Sequence, residues 1–214
     1  YKLGQKYLTR VKIVDSLSKN SVFLNMKTMK NGDIWIAARN KVFCIKQSKN
    51  EAYISKVIPT YAGAAFCIYE TERNAIWVGT STGISQVEND TLTPVISSKK
   101  TENETAVVWN IFKGSNRKIY FNTNNLYEFD ESKSPLKKIL NIGNSPLSGI
   151  ISGFNDGLFA TYENGGLKLY NNGEEVAISS EIPENLGNLT SILVDREKNI
   201  WLAFDTKVFK AVLM

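Results

Sequence analysis

The sequence predicts an all-β fold built from five copies of one four-stranded unit, and three observations support this prediction. A phrase of the type "NAIWVGTSTGISQV" recurs along the chain with an aromatic residue at a fixed place. Windows with the apolar period of a helix are almost absent. The two chain ends resemble complementary halves of one unit. The aligned aromatic residues are Trp35, Trp77, Tyr120, Phe159 and Trp201, at spacings of 42, 43, 39 and 42 residues.

A period near 40 residues is typical of β-propellers, in which each blade is a sheet of four short strands. In each copy an apolar strand, a polar turn, the aromatic strand, a turn rich in Asn, Thr and Gly, and two further strands follow in order. We therefore predict a single propeller domain over residues 1–214. Its blade cores are expected near residues 22–58, 64–97, 106–140, 147–179, and 188–214 plus 5–14.

The chain ends predict how the propeller closes. The segment Tyr7–Val14 has the pattern of a fourth strand without its blade, and the last copy stops at "VFKAVLM" after its third strand. Pairing of the two would close five blades into a ring and remove exposed sheet edges. An arc cut from a larger propeller is the alternative that the repeats leave open. Because the chain begins with Tyr1 and not Met, we expect a processed or excised segment.

Composition narrows the range of functions. The chain has 214 residues, of which 43% are hydrophobic, and a net charge of +5 spread without long basic runs. Such a charge suits anionic ligands but does not predict binding to nucleic acid. Histidine is absent, which excludes Ser-His-Asp and Cys-His nucleophiles and histidine-ligated metals, so we expect no metal or other cofactor. No apolar run is long enough for a membrane span. Cys44 and Cys67 lie in apolar runs and are expected to be buried free thiols.

Three stretches carry a family resemblance. "DSLSKNSVFLNMKTMKNGDIW" (Asp15–Trp35) and "IWVGTSTGI" at Ile76 resemble the repeat of the two-component regulator propeller family, and "ILVDREKNIWLAF" at Ile192 keeps its acidic residue and Ile-Trp pair. The resemblance implies a sensor module without catalysis of its own, in the periplasmic or extracytoplasmic region of a bacterial hybrid histidine kinase. It also implies recognition of glycans or their breakdown products. The family usually has seven-bladed rings followed by a β-sandwich and a membrane helix, from which this chain departs.

The tryptophans at the repeat position are expected to pack between blades, because they recur at one register inside apolar strands. Function should then lie where the repeat is broken, at the turns between second and third strands and the loops entering each first strand. Amides, hydroxyls and one arginine there suit the hydroxyl and carboxylate groups of an oligosaccharide. The alternative for each of these turn residues is a solvated turn role, and the alternative for Trp109 is a local space-filler. The candidates are Asn20, Arg39, Asn40, Tyr61, Thr82, Trp109, Asn124, Asn125, Glu163, Asn164 and Asp205.

Two other functions stay open. Propellers also serve as protein-interaction scaffolds. Five-bladed rings also house glycoside hydrolases, which need two carboxylates roughly 5 to 9.5 Å apart; Asp15, Glu104, Glu163 and Asp205 could supply them, but nothing marks these as a set. We therefore expect a binding module and not an enzyme. Its expected partners are an oligosaccharide or other small extracellular ligand, of anionic character, and a second copy of the chain or the rest of a sensor.

Overall fold

The computed structural model describes residues 21–47, 52–61, 63–97, 107–113, 118–123, 125–130, 133–141, 152–153, 158–163, 166–171, 174–176, 189–195, 197 and 199–211. These residues form strands and turns, which confirms the all-β prediction. Within the described residues there is no candidate for a membrane-spanning helix. The chain divides into two compact units, unit 1 (Tyr1–Ser97) and unit 2 (Ser98–Met214).

Unit 1 contains two four-stranded antiparallel sheets with their strands in chain order. The first sheet comprises β1 (Phe23–Thr28), β2 (Ile34–Ala38), β3 (Lys41–Gln47) and β4 (Ala52–Pro59). The second sheet comprises β5 (Ala65–Glu70), β6 (Ile76–Thr80), β7 (Gly83–Glu88) and β8 (Thr91–Ser97).

Unit 2 contains three further antiparallel sheets. The third sheet comprises β9 (Asn110–Lys113), β10 (Ile119–Asn122), β11 (Asn125–Asp130) and β12 (Lys133–Asn141). The fourth comprises β13 (Ser152–Gly153), β14 (Leu158–Glu163), β15 (Gly166–Asn171) and β16 (Glu174–Val176). The described part of the fifth comprises β17 (Leu189–Val194), β18 (Ile200–Phe204) and β19 (Val208–Ala211). The predicted partner strand Tyr7–Val14 lies outside the described residues, so the closed five-bladed ring stays a prediction.

The repeat corresponds to a constant register between the first two strands of a sheet. In the first, second, third and fifth sheets, the repeated aromatic residue lies opposite the residue eight positions before it. In the remaining sheet, which contains Phe159, the hairpin is two residues shorter. The opposed pairs are Lys27 with Trp35, Tyr69 with Trp77, Phe112 with Tyr120, Gly153 with Phe159, and Leu193 with Trp201.

The turn between these strands has the same hydrogen bond in three sheets. The N–H of Met29 donates to the carbonyl of Asp33 (2.8 Å), and the N–H of Thr71 donates to that of Ala75 (2.9 Å). The N–H of Asp195 donates likewise to the carbonyl of Asn199 (3.0 Å). The first two turns contain a residue with positive φ, Gly32 at 87° and Asn74 at 60°. Glycine and asparagine tolerate this conformation best, which explains the residues found there.

The central strands of the first sheet are buried on both faces. Successive side chains of a strand point to opposite faces, so a fully apolar strand needs cover on both sides. On one face lie Trp35, Ala37, Val42 and Cys44, packed with Ala65, Ile68 and Val78 of the second sheet. On the other face lie Ile36, Ala38, Phe43 and Ile45. This explains why β2 and β3 have continuous apolar sequences instead of alternating ones.

Both cysteines are buried free thiols, as predicted. The exposed fractions of Cys44 and Cys67 are 1% and 2%. Burial is also the main cause that raises the pKa of the Cys44 thiol. A buried thiol with a raised pKa is unreactive at neutral pH, so Cys44 acts as a small apolar side chain.

The burial predicted for the repeated tryptophans is confirmed for Trp35 and Trp77, which are 6% and 5% exposed, but it is wrong for Trp201, which is 38% exposed. In β18 the buried residues are Ile200, Leu202 and Phe204, so Trp201 points to the opposite face. There the Lys210 ammonium lies 5.8 Å from the centre of its ring. The face of Trp35, in contrast, is covered by the neighbouring sheet.

Each of three repeated aromatic residues has a partner for its polar tip. The Trp77 indole N–H donates to Gln86 Oε1 (3.0 Å), and the Tyr120 hydroxyl donates to Glu128 Oε2 (3.2 Å). The Trp201 indole N–H donates to Asp195 Oδ2 (2.8 Å). This bond, together with those from the side chain and backbone N–H of Asn199, lowers the pKa of the Asp195 carboxyl to about 2.

The difference in burial predicts a difference in stability cost. Replacing Trp77 by Ala removes a buried indole and leaves a cavity, so we expect Trp77→Ala to cost about 3 to 5 kcal/mol in the free energy of unfolding. Trp201→Ala is the matched control and should cost clearly less, since its ring is partly in solvent. Chemical denaturation of both variants tests this. Equal costs would contradict the assigned packing.

The Asp195 interactions predict a pH effect on stability. A carboxyl whose folded-state pKa lies below the unfolded value of roughly 3.9 stabilises the fold when ionised. That contribution is complete above the unfolded pKa and is lost as the pH falls through about 2. We therefore expect the difference in melting temperature between the wild type and Asp195→Asn to shrink between roughly pH 5 and pH 2. A difference that stays constant over this range would show that ionisation of Asp195 does not stabilise the fold.

Candidate functional site

Three connections of unit 1 meet at one end of its strands. They are the β2–β3 turn, the β4–β5 connection and the β6–β7 turn. The Thr60 N–H donates to the Asn40 carbonyl (3.0 Å), and the Ser81 N–H donates to the Ala64 carbonyl (3.1 Å). These bonds tie the β4–β5 connection to both turns. We name Arg39, Asn40, Thr60, Tyr61 and Thr82 the loop edge.

The loop edge brings together four of the residues predicted for ligand binding. Arg39, Asn40 and Thr82 are exposed, and Tyr61 is 89% exposed. The Arg39 backbone N–H donates to the Val22 carbonyl (3.1 Å), which fixes the turn while its guanidinium side chain is in solvent. A cation, an amide, a hydroxyl and a phenol are thus presented on one edge, where they could bind carboxylate and hydroxyl groups.

Two buried hydroxyl groups flank the Arg39–Asn40 turn. Ser21 precedes Val22, the acceptor of the Arg39 N–H, and Thr60 donates its own N–H to Asn40. Ser21 Oγ and Thr60 Oγ1 are both buried and make no hydrogen bond within the described part of the chain. A buried hydroxyl without a partner costs about 1 to 3 kcal/mol. A water molecule or a ligand hydroxyl that bonded to either group would remove that cost.

Gly63 allows the β4–β5 connection to approach the β6–β7 turn. Its φ is +114°, which side chains rarely adopt, and a Cβ at this position would collide with Ser81 Oγ. Gly63 is therefore required both by its backbone conformation and by the close approach of the two connections.

In unit 2 the structure corrects one predicted site residue. Asn125 was expected in an exposed turn, but it is the first residue of β11 and is 1% exposed. The Thr123 N–H donates to the Asn125 carbonyl (2.9 Å), and the Asn125 N–H donates to Thr123 Oγ1 (3.3 Å). The turn is therefore tight, and Asn125 belongs to the buried strand. Trp109, which is half-buried, lies next to this turn because its N–H donates to the Asn122 carbonyl (3.0 Å).

The remaining predicted residues are placed only in part. Asp205 is exposed in the β18–β19 turn, and Glu163 ends β14, where its backbone is described. Asn20, Asn124 and Asn164, and the carboxylates Asp15 and Glu104, lie outside the described residues. Among the residues that are described, no group of three or more Cys, Asp or Glu side chains could hold a metal ion.

Sequence reasoning missed Asn122. It is 1% exposed, and neither its side-chain oxygen nor its nitrogen has a hydrogen-bond partner in the described structure. Asn122 lies two residues after the repeated aromatic, where three other copies have Ala37, Gly79 and Ala203. The fourth copy has Thr161 there, so Asn122 alone brings a side-chain amide to this position, which was the signal that could have revealed it.

No protein-family model and no curated protein matches this sequence. Solved structures are similar in fold. A catalytically inactive variant of virginiamycin B lyase from Staphylococcus aureus, with quinupristin, superposes with a TM-score of 0.68 at 13% identity, over 94% of this chain and 70% of the lyase chain. The extracellular domain assigned to a hybrid two-component system of B. thetaiotaomicron gives a TM-score of 0.64 at 20% identity, over 87% of this chain and 27% of that one.

The WD40 β-propeller domain of Doa1 is similar as well, with a TM-score of 0.63 at 12% identity, over 89% of this chain and 66% of that domain. At these identities the likeness concerns the fold alone. Together with the four-stranded antiparallel sheets, it assigns a propeller type of fold to this chain.

The close approach at Gly63 predicts the effect of two glycine substitutions. Gly32 also has a positive φ, of 87°, but no atom lies within 4 Å of the Cβ that alanine would add. Gly32→Ala should therefore cost only the backbone strain, about 1 to 2 kcal/mol in the free energy of unfolding. Gly63→Ala adds the collision with Ser81 and should cost more. Urea denaturation measures both, and a cost for Gly63→Ala no larger than that for Gly32→Ala would contradict the described approach.

Proposed function

We propose that this chain is the ligand-sensing propeller module of a bacterial two-component signalling protein, that it works outside the cytoplasm, and that it binds an anionic oligosaccharide at the loop edge. The observation that carries the proposal is the grouping of Arg39 and Tyr61 beside the buried, unpartnered hydroxyls of Ser21 and Thr60. Within the described residues, neither hydroxyl has a hydrogen-bond partner.

The chemistry of the loop edge supports this class of ligand. A guanidinium group binds carboxylates and sulfates through two parallel hydrogen bonds. Hydroxyl and amide groups both donate and accept, as sugar hydroxyls do. The net charge of +5 has the right sign to attract an anionic ligand.

The resemblance to the two-component regulator propeller repeat supports the signalling role. The fold likeness to an extracellular two-component domain of B. thetaiotaomicron agrees with it and with an extracytoplasmic location. The likeness to the lyase does not favour an enzymatic function for this chain. That lyase is inactive when a histidine is replaced by alanine, and this chain contains no histidine.

A protein-interaction scaffold is the second candidate function, and one observation favours it. Strand β1 exposes Phe23, Leu24 and Met26 to 50%, 44% and 68%. Large exposed apolar side chains that lie together suit a protein partner better than a sugar. The WD40 fold likeness is compatible with this function.

The site predicts the effect of one charge removal. Arg39→Ala should weaken binding of an oligogalacturonate by about 1.5 to 3 kcal/mol, the scale of one charge-assisted hydrogen bond. The melting temperature should hardly change, because the side chain is exposed. Calorimetric titration measures the affinity.

Two controls make this test specific. Arg73→Ala removes another exposed guanidinium of unit 1, at the other end of the strands, and should leave the affinity unchanged. The methyl-esterified oligogalacturonate has the same length without the charge and should bind the wild type weakly. Equal affinities of the wild type and Arg39→Ala would move the site away from the loop edge. Failure of every acidic and neutral oligosaccharide to bind would favour the scaffold function.

A further inference from the structure

A cleft lies at the end of the strands of unit 1 opposite to the loop edge. Its volume is about 400 Å³, within the range of small-molecule sites. The β1–β2 turn and the β5–β6 turn, one from each sheet, form its walls. The lining residues are Met29, Lys30, Asn31, Asp33, Trp35, Glu70, Asn74 and Ile76.

Hydrogen bonds across the two sheets give this cleft a fixed shape. The Lys30 backbone N–H donates to Glu70 Oε2 (2.9 Å), and the Lys30 ammonium donates to the Thr71 carbonyl (3.3 Å). Within the β1–β2 turn, Asn31 Nδ2 donates to Asp33 Oδ2 (3.0 Å), and the Asp33 N–H donates to Asn31 Oδ1 (2.9 Å). These hydrogen bonds hold the two turns that form the walls in place.

The indole N–H of Trp35 is left without a partner beside the cleft. Trp77 donates to Gln86, which lies opposite it, and Trp201 donates to Asp195, six residues before it. In the first sheet these two positions hold Cys44 and Met29, neither of which accepts the Trp35 N–H. Trp35 is 6% exposed, and its indole makes no hydrogen bond within the described residues. The side chain as a whole is buried, but its indole nitrogen is not fully enclosed, so an acceptor that enters the cleft can reach the N–H.

The polar groups of the cleft determine which ligand chemistry it can bind. One oxygen of Asp33 and one of Glu70 make no hydrogen bond in the described structure, nor does the side-chain amide of Asn74. The lining carries two carboxylates and one ammonium, so an incoming cation is favoured. Lys27 interacts electrostatically with Glu70 but does not line the cleft. The Trp35 N–H and the Asn74 amide call for hydroxyl oxygens as partners.

We propose that this cleft is a second ligand site, separate from the loop edge, and that it binds a hydroxylated primary amine of the size of an amino sugar. The ammonium group pairs with the free oxygens of Glu70 and Asp33. A ring hydroxyl accepts the Trp35 indole N–H, and a second hydroxyl bonds to Asn74. Met29 and Ile76 contact the apolar side of the ring.

Glucosamine and N-acetylglucosamine form a matched pair of probes, since they differ in the ammonium group. We expect glucosamine to shift the nuclear magnetic resonance signals of the Trp35 indole and the Asn31 and Asn74 amides, and not the Trp77 indole, whose N–H is already bonded to Gln86. N-acetylglucosamine at the same concentration should give much smaller shifts. Equal shifts from both sugars, or none in the cleft, would overturn the proposal.

Two variants test the groups of the cleft without disturbing the turn. Glu70→Gln should weaken glucosamine by about tenfold or more, the scale of one charge-assisted hydrogen bond. Asn74→Gly removes the amide but suits the φ of 60°, so the turn stays and affinity falls. Glu88→Gln alters an exposed carboxylate of β7 outside the cleft and should leave the titration unchanged. Wild-type affinity in both cleft variants would place glucosamine elsewhere.

The loop-edge variant Arg39→Ala separates the two proposals. It lies at the other end of β2 and should leave the glucosamine titration unchanged. Loss of oligogalacturonate binding without loss of glucosamine binding would support two separate sites. An effect of Arg39→Ala on glucosamine would contradict a separate cleft.

Discussion

Burial of β2 and β3 on both faces limits where polar groups can lie in unit 1. Trp35 and Ala37 pack on one side of β2, and Ile36 and Ala38 pack on the other. Neither side has room for a polar group without a partner, because an unpaired polar group in such a position costs free energy. Chemistry is therefore confined to the two ends of the strands, where the connections lie. Both candidate sites of unit 1 are found there.

The connections at the two ends differ in how they hold polar groups. At the loop edge, backbone hydrogen bonds such as Thr60 N–H to Asn40 carbonyl fix the chain and leave the side chains in solvent. At the opposite end, side chains themselves make the links, as Lys30 does to Glu70 and Thr71. The first arrangement leaves Arg39 and Tyr61 free to meet an extended ligand. The second encloses a small volume with a mixed polar lining.

The repeated aromatic residue shows how one position serves different roles in different copies. Trp77 and Tyr120 are buried, and a polar residue of the adjacent third strand accepts the hydrogen of each. Trp201 lies partly in solvent, and Asp195 accepts its N–H from the preceding turn. Trp35 is buried like Trp77 but has sulfur-containing residues at both acceptor positions. The burial of the ring and the hydrogen bonding of its polar group therefore vary independently between the copies.

The amino-acid sequence was enough to predict the all-β fold, the repeated strand order and the burial of Trp35, Trp77, Cys44 and Cys67, because apolar periodicity and turn residues act over short distances along the chain. It also placed Arg39, Asn40, Tyr61 and Thr82 on a common edge, since strand order fixes which connections share an end. The exposure of Trp201, the burial of Asn125 and the cleft around Trp35 are evident only in the folded chain. Each of these depends on what covers a face or reaches across from another strand or sheet. Such contacts join residues far apart in the chain, so a local sequence pattern does not predict them.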